Sequence, residues 1–199
     1  DMAYSIDPIS ANCYPDTTVL INKFDIRDEA KLNEVESVLS SARYAEWENA
    51  PKVDSFDFEH YKAIHRFLFS DLYDWAGEVR TVNISKKGTQ FTPADKVPEL
   101  AERIFKRLNA MNNLKGLPRN EFVDEIVDLY CATNSLHPFR EGNGRTQRAF
   151  LTQLIRNAGY DFSFADMDTE LLMIATIQSA QGVNDLLEEI FKKNVRKFM

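Results

Sequence analysis

The twelve residues HPFREGNGRTQR, positions 137 to 148, gather an imidazole, an acid, two glycines around an asparagine, and then two arginines three apart. Proline disfavours helix at the residue before it, so His137, ahead of Pro138, overhangs a helix end. An imidazole of ordinary pKa takes a proton near neutral pH and serves as a general base. Gly142, Asn143 and Gly144 lead into a helix, whose start offers unpaired N–H groups and the positive end of the macrodipole. Glycines let that backbone approach an anion closely, and phosphate is the usual occupant. Arg145 and Arg148 stand one turn apart and can lean toward the same anion. Glu141 in front of such a nest repels a phosphate unless a divalent cation bridges them; Mg²⁺ takes one or two carboxylates with phosphate oxygens. Phe139 is an apolar pin for the loop. This is a set for phosphoryl or nucleotidyl transfer, in which positioning and charge neutralisation carry most of the catalysis. Singly, each piece has a plainer reading: a histidine C-cap, a Gly-Asn-Gly turn, and two solvated arginines facing away from Leu151, Leu154 and Ile155. Their conjunction is what points to chemistry.

The elements that must hold this loop read as helices. Seven glycines and seven prolines in 199 residues are few. Residues 1–25, punctuated by Pro8 and Pro15, read as an irregular arm, followed by a single domain over 26–199 with its core at about 55–165. The stretch from Arg27 to Trp47 is helical, with Leu32, Val35, Val38 and Leu39 on one stripe. A second helix carries Phe58, Tyr61, Ile64, Phe67 and Leu68 and stops at Gly77. Around Val79, Thr81 and Ile84 the period changes to that of a strand, with Lys86-Lys87-Gly88 as a turn. One hairpin is marginal alone, so it lies on something, and its edge is free to pair with a guest strand. Helices resume at Ala94 and Arg119; the latter turns Phe122, Ile126, Leu129 and Tyr130 inward and ends at His137. The helix after the glycines turns Phe150, Leu151, Leu154 and Ile155 inward and stops at Gly159. The expectation is an all-α domain with one hairpin.

Composition closes other routes. A net charge of −7 argues against a general nucleic-acid binder. Cys13 and Cys131 make neither a metal spacing nor a disulfide framework, which suits a reducing cytoplasm. No apolar run reaches the length of a membrane span, and the first residues lack a signal-peptide pattern. A cytoplasmic protein is expected. His60 and His65 are five apart, about 140° round a helix, so they cannot share a metal as an i, i+4 pair does. Both read as ordinary helix residues, and Trp47 and Trp75 as core or edge anchors.

Together the loop residues resemble the Fic (filamentation induced by cAMP) motif, His-Pro-Phe-x-(Asp/Glu)-Gly-Asn-Gly-Arg-x-x-Arg. His137, Pro138, Phe139, Glu141, Gly142, Asn143, Gly144, Arg145 and Arg148 meet every fixed position. The resemblance extends over about residues 20–195 on pattern. It implies the Fic fold, a helical bundle around the motif helix with a hairpin flap. It implies a protein adenylyltransferase, moving AMP from ATP to a Ser, Thr or Tyr hydroxyl with release of pyrophosphate. His137 would deprotonate that hydroxyl, and Glu141 would hold Mg²⁺ between the α- and β-phosphates. Asn143 with the backbone of Gly142 and Gly144 would hold the α-phosphate, Arg145 the β- and Arg148 the γ-phosphate. The flap, Ser85, Lys86, Lys87, Gly88, Thr89, Gln90 and Phe91, would clamp the target by strand addition.

Doc-type kinases of the superfamily carry lysine at the position of Gly144, so the glycine favours AMP transfer here; other phosphoryl or nucleotidyl groups are the alternative. The family's inhibitory helix, (Ser/Thr)-x-x-x-Glu-(Gly/Asn), has no convincing match: Ser55 to Glu59 is followed by His60, and the C-terminal acids lack a Ser or Thr four residues earlier. The resemblance then implies a toxin whose small antitoxin supplies the helix in trans; by family analogy its targets are type II topoisomerases. A metal hydrolase and a non-catalytic nucleotide-binding module are the rivals; intact His137 and Glu141 speak against the latter.

Overall fold

The motif helix is the axis of the molecule. In the computed structural model, which describes residues 12–50, 53 and 55–199 and the backbone of Ser5–Ile6, helix α5 (Asn143–Asn157) keeps Phe150, Leu151, Leu154 and Ile155 fully buried. Against it pack α1 (Glu29–Glu48), α2 (Phe58–Phe69) and α4 (Arg119–Leu136). α3 (Val97–Ala110) lies on α2 and α4, and α6 (Thr169–Ala180) and α7 (Asp185–Asn194) cover α4. Phe150 sits among aromatic edges, with ring centroids of Tyr61 at 5.1 Å, Phe105 at 5.5 Å and Phe56 at 5.8 Å. Such edge-to-face pairs add about 0.5–1.5 kcal/mol each beyond area burial. The helical architecture expected from the sequence is therefore the one found, and among the described residues no helix is long and apolar enough to cross a membrane.

Three details differ from expectation. Leu32, Glu36 and Ser40 form the buried stripe of α1, while Val38 is 65% exposed. Val38 lies two residues from Glu36, about 200° round the helix, so both cannot face inward. α2 ends at Phe69 rather than Gly77; a succession of tight turns carries Leu72, Tyr73 and Ala76 into the core instead. The hairpin, β2 (Ile84–Lys86) and β3 (Thr89–Gln90), is not a lone pair of strands. β1 (Ser5–Ile6) runs antiparallel along β2, Ser5 opposite Ser85 and Ile6 opposite Ile84, giving the order β1-β2-β3. The outer edge of β2, expected to be open, is taken. Of the irregular arm expected over 1–25, residues 1–4 and 7–11, Pro8 among them, lie outside the described residues; in the described part Cys13 bridges Leu20. Near the C-terminus, β4 (Tyr160–Asp161) pairs with β5 (Arg196–Lys197), a contact with no sequence signal.

The hairpin turns through Lys87 (φ 48°) and Gly88 (φ 78°), the two-residue turn whose twist suits adjoining strands. Val82, Ile84 and Phe91 form a small apolar cluster of their own beneath it. Its base is stapled to the end of α4: Thr92 N–H and Oγ1 both donate to the Ser135 carbonyl, at 3.0 and 2.9 Å.

Candidate active site

His137 ends α4 in the left-handed region, φ 43° and ψ 61°, a conformation that costs a non-glycine residue about 1–2 kcal/mol. Its N–H donates to the Thr133 carbonyl at 3.1 Å. Its carbonyl accepts from Arg80 Nε at 2.7 Å, and the Arg80 backbone N–H donates to the Pro138 carbonyl at 2.9 Å. The buried Arg80 guanidinium also donates to the carbonyls of Val82 (2.9 Å), Leu136 (3.4 Å) and Thr92. One cation thus ties both ends of the hairpin to the histidine.

Two contacts among the described residues help place the His137 ring. Nδ1 lies 2.8 Å from the Asn134 carbonyl. A carbonyl only accepts, so Nδ1 carries the hydrogen and Nε2 the lone pair. The ring lies parallel to Phe91, centroids 3.6 Å apart. Burial pushes its pKa down to about 3, the Asn134 carbonyl opposing and the charges of Lys86 and Arg80 adding. The imidazole is neutral throughout the physiological range.

The loop after it is braced from behind. Phe139 is fully buried, stacked on His65 at 3.9 Å and on Tyr61 at 6.0 Å. His65, also buried, receives the Gly77 N–H on Nδ1 and donates Nε2–H to the Glu141 carbonyl, each at 2.8 Å. It is therefore a brace for the loop rather than an ordinary helix residue. Burial drives its pKa to about 3 as well. The Asn143 side chain closes the loop on itself, accepting from Phe139 N–H (2.9 Å) and donating to the Phe139 carbonyl (2.7 Å). Arg140, at the motif's variable position, is buried with Nη2 3.7 Å from Cys13 Sγ.

Gly142 starts α5 at φ 80°, and a Cβ there would fall on the Phe69 ring. The first turn of α5 then leaves its N–H groups pointing out of the helix start. Glu141 lies beside them and accepts from Gly142 N–H at 3.1 Å. Burial and the neighbouring Glu36 push its carboxyl above the usual carboxylate range. Arg145 is paired with Glu36 of α1, and Arg148 reaches back over Gly144, where a Cβ would stand 3.0 Å from its Nη1. Burial holds Arg148 below its usual pKa, and among the described residues no acid pairs with it. Both arginines thus sit in a cleft beneath α1, not on a solvated face.

Of the hairpin residues, Lys86 is half-buried, close enough to feel the charges of Glu141, Arg145 and Arg148. Lys87, Gly88 and Gln90 are exposed, and Ser85 lies between its strand partners Ser5 and Gln90. Thr89 and Gln90 line a cavity of about 350 Å³ with Cys131, Asn134, Ser135 and Ser179, on the Asn134 side of His137. Among the described residues no group of three or more histidines, cysteines or acids could hold a metal alone. Glu141 fits a cation that keeps most of its ligands from phosphate and water, as Mg²⁺ does. Sequence reasoning passed over Glu36 and Arg80 and read His65 as an ordinary helix residue; each is a buried polar residue whose partner lies far along the chain.

The chain belongs to the Fic/DOC family, whose model matches residues 55–155. It is 37% identical over 184 residues to the protein adenylyltransferase VbhT of Bartonella schoenbuchensis, covering 92% of this chain but only 38% of VbhT. The probable protein adenylyltransferase y4lH of Sinorhizobium fredii is 37% identical, with 88% of this chain and 89% of that one covered. For the probable adenylyltransferase Fic of Escherichia coli the identity is 33%, over 92% and 90%. Among solved structures, BepC of Bartonella tribocorum with bound AMPPNP superposes with a TM-score of 0.88 at 28% identity, over 94% of this chain and 97% of that one.

Proposed function

We propose that this chain is a protein adenylyltransferase, a nucleotidyltransferase that moves AMP from ATP to a hydroxyl of a target protein. The observation that carries the reading is the assembly at the start of α5: an imidazole with an Nε2 lone pair, a bare Gly144, Arg145 held by Glu36, and a buried Arg148. Relatives named protein adenylyltransferases and a neighbour holding AMPPNP support it.

The target oxygen attacks the α-phosphorus, its proton passes to His137 Nε2, and the bond to the bridging oxygen breaks to release pyrophosphate. Burial, which lowers its pKa to about 3, makes His137 a weak base by itself; the negative charge of an arriving triphosphate raises it toward the range a base needs. The Gly142–Gly144 backbone faces the α-phosphate, with the Asn143 side chain spent first on closing the loop. Arg145 contacts the β-phosphate and Arg148 the γ-phosphate. Mg²⁺, held by Glu141 and phosphate oxygens, would neutralise charge developing between the α- and β-phosphates. The nucleotide's base occupies the cavity between β3, α4 and α6.

Arg148 also supports the regulatory reading. A buried guanidinium with no acid paired to it among the described residues suits an acid brought by another chain, so the protein is the toxin of a pair whose small antitoxin supplies the glutamate. Its site of action is the cytoplasm; a type II topoisomerase is the target the family resemblance offers.

The test is incubation with α-labelled ATP, Mg²⁺ and a bacterial lysate, beside His137→Ala. Label on protein that requires His137 is the expected result. Transfer from γ-labelled ATP alone would replace AMP transfer by phosphoryl transfer.

A further inference from the structure

α1 lies outside the residues matched by the family model, yet it places one acid in the site. Glu36 Oε1 accepts from Arg145 Nη2, and Glu36 Oε2 accepts from the Tyr73 hydroxyl. One turn along α1, Ser40 Oγ accepts from Arg145 Nη1 at 2.7 Å. The guanidinium lies over the Phe69 ring, 4.8 Å from its centroid, and 3.9 Å from Glu141. Both oxygens of Glu36 are therefore engaged, and the arginine is held on three sides.

We propose that Glu36, steadied by Tyr73 and helped by Ser40, is a positioning residue that fixes Arg145 for the β-phosphate of ATP. Depth decides between this and a competing role. The Glu36 side chain is 8% exposed and that of Arg145 29%, so the acid sits behind the guanidinium rather than in the path of an anion. An arginine carries five N–H donors, and α1 takes one each through Glu36 and Ser40. A pinned arginine has given up its rotamer freedom on folding and loses little more when a phosphate arrives. The contact also differs from an inhibitory glutamate, which would hold Arg148. The inference rests on the reading of Arg145 as a phosphate contact.

The test measures binding of ATP and of AMP, which has no β-phosphate, to the whole chain by calorimetry. Glu36→Ala is expected to weaken ATP about tenfold and leave AMP unchanged. Glu36→Gln keeps the shape and an acceptor for Arg145, so ATP binding stays within about threefold of wild type. Tyr73→Phe keeps the acid but loosens it, with an ATP loss of about threefold; it serves should Glu36→Ala fail to fold. Tighter ATP binding by Glu36→Gln would make Glu36 a brake and overturn the inference, as would equal losses for ATP and AMP. Arg145→Ala runs alongside. If it loses ATP selectively while Glu36→Ala and Tyr73→Phe do not, the inference alone fails. If Arg145→Ala binds ATP like wild type, the reading of Arg145 fails and takes the inference with it.

Discussion

Replacing Arg80 by methionine removes one cation and leaves a similar apolar shaft. Four carbonyls then lose a charged donor: His137 and Leu136 at the end of α4, Val82 before β2 and Thr92 after β3. Hydrogen bonds to a charged group contribute about 1.5–3 kcal/mol each, and a buried acceptor left bare costs about 1–3 kcal/mol. These terms overlap because the carbonyls share one donor, and the 3.4 Å bond to Leu136 is long. The net expectation is a loss of about 3–5 kcal/mol, the range for breaking a buried charged network. Arg80→Lys, with one ammonium and three hydrogens, recovers about half. Urea unfolding followed by circular dichroism reads this directly. Activity separates further: nucleotide affinity stays within about threefold, because Arg145 and Arg148 stand on α5. AMP transfer falls at least about a hundredfold, since His137 and the hairpin lose their shared anchor and a displacement of about 1 Å has that effect. A folded Arg80→Met variant that loses under about 1 kcal/mol, or transfers AMP at the wild-type rate, would refute the reasoning.

Gly142→Ala meets a left-handed backbone and the Phe69 ring together; a loss of about 2–4 kcal/mol in urea unfolding is expected, and a change below about 1 kcal/mol would mean the loop relaxes freely. Gly144→Lys puts a second cation beside Arg148 Nη1, 3.0 Å from the Cβ position; transfer of α-label should fall at least tenfold or so with the melting temperature nearly unchanged, and undiminished transfer would remove Gly144 from the argument. Burial holds the pKa of both His65 and His137 at about 3, against about 6.5 in the unfolded chain. Between those values the unfolded chain binds protons that the folded one refuses, so stability falls as pH drops below 6.5, by up to about 1.4 kcal/mol per pH unit for each histidine. The raised carboxyl of Glu141 works the other way and offsets part of it. Urea midpoints at pH 7.5 and 5.5 check the sign; equal midpoints would contradict it.

The motif loop was legible because its chemistry is local: His137 through Arg148 are contiguous, and proline and glycine mark both helix ends. α4 spans the stretch expected of it, since its inward residues recur at helical spacing and Pro138 ends it. What escaped the sequence comes from far along the chain. Glu36 meets Arg145 across a separation of 109 residues, and Arg80 meets His137 across 57. No period announces such pairs, because a buried charge is justified only by its partner. Val38 failed for a related reason: the stripe of α1 follows Leu32, Glu36 and Ser40, two of them polar, which a search for apolar residues discards. Phe69 to Gly77 kept a helical look because its apolar residues are buried, but successive turns bury them.

Were a target to dock by adding a strand to this sheet, the pairing of β1 along β2 would make that docking a competition. A target segment that joins this sheet either adds to the two-residue outer edge of β3 or exchanges with Ser5–Ile6. In the exchange, strand bonds are traded for like strand bonds, so the balance turns on concentration. A strand tethered to its own partner is present at an effective concentration of about millimolar, which sets the threshold a diffusing target has to exceed by affinity gained elsewhere on its surface. Lengthening or shortening the arm shifts that threshold without touching a residue of the motif.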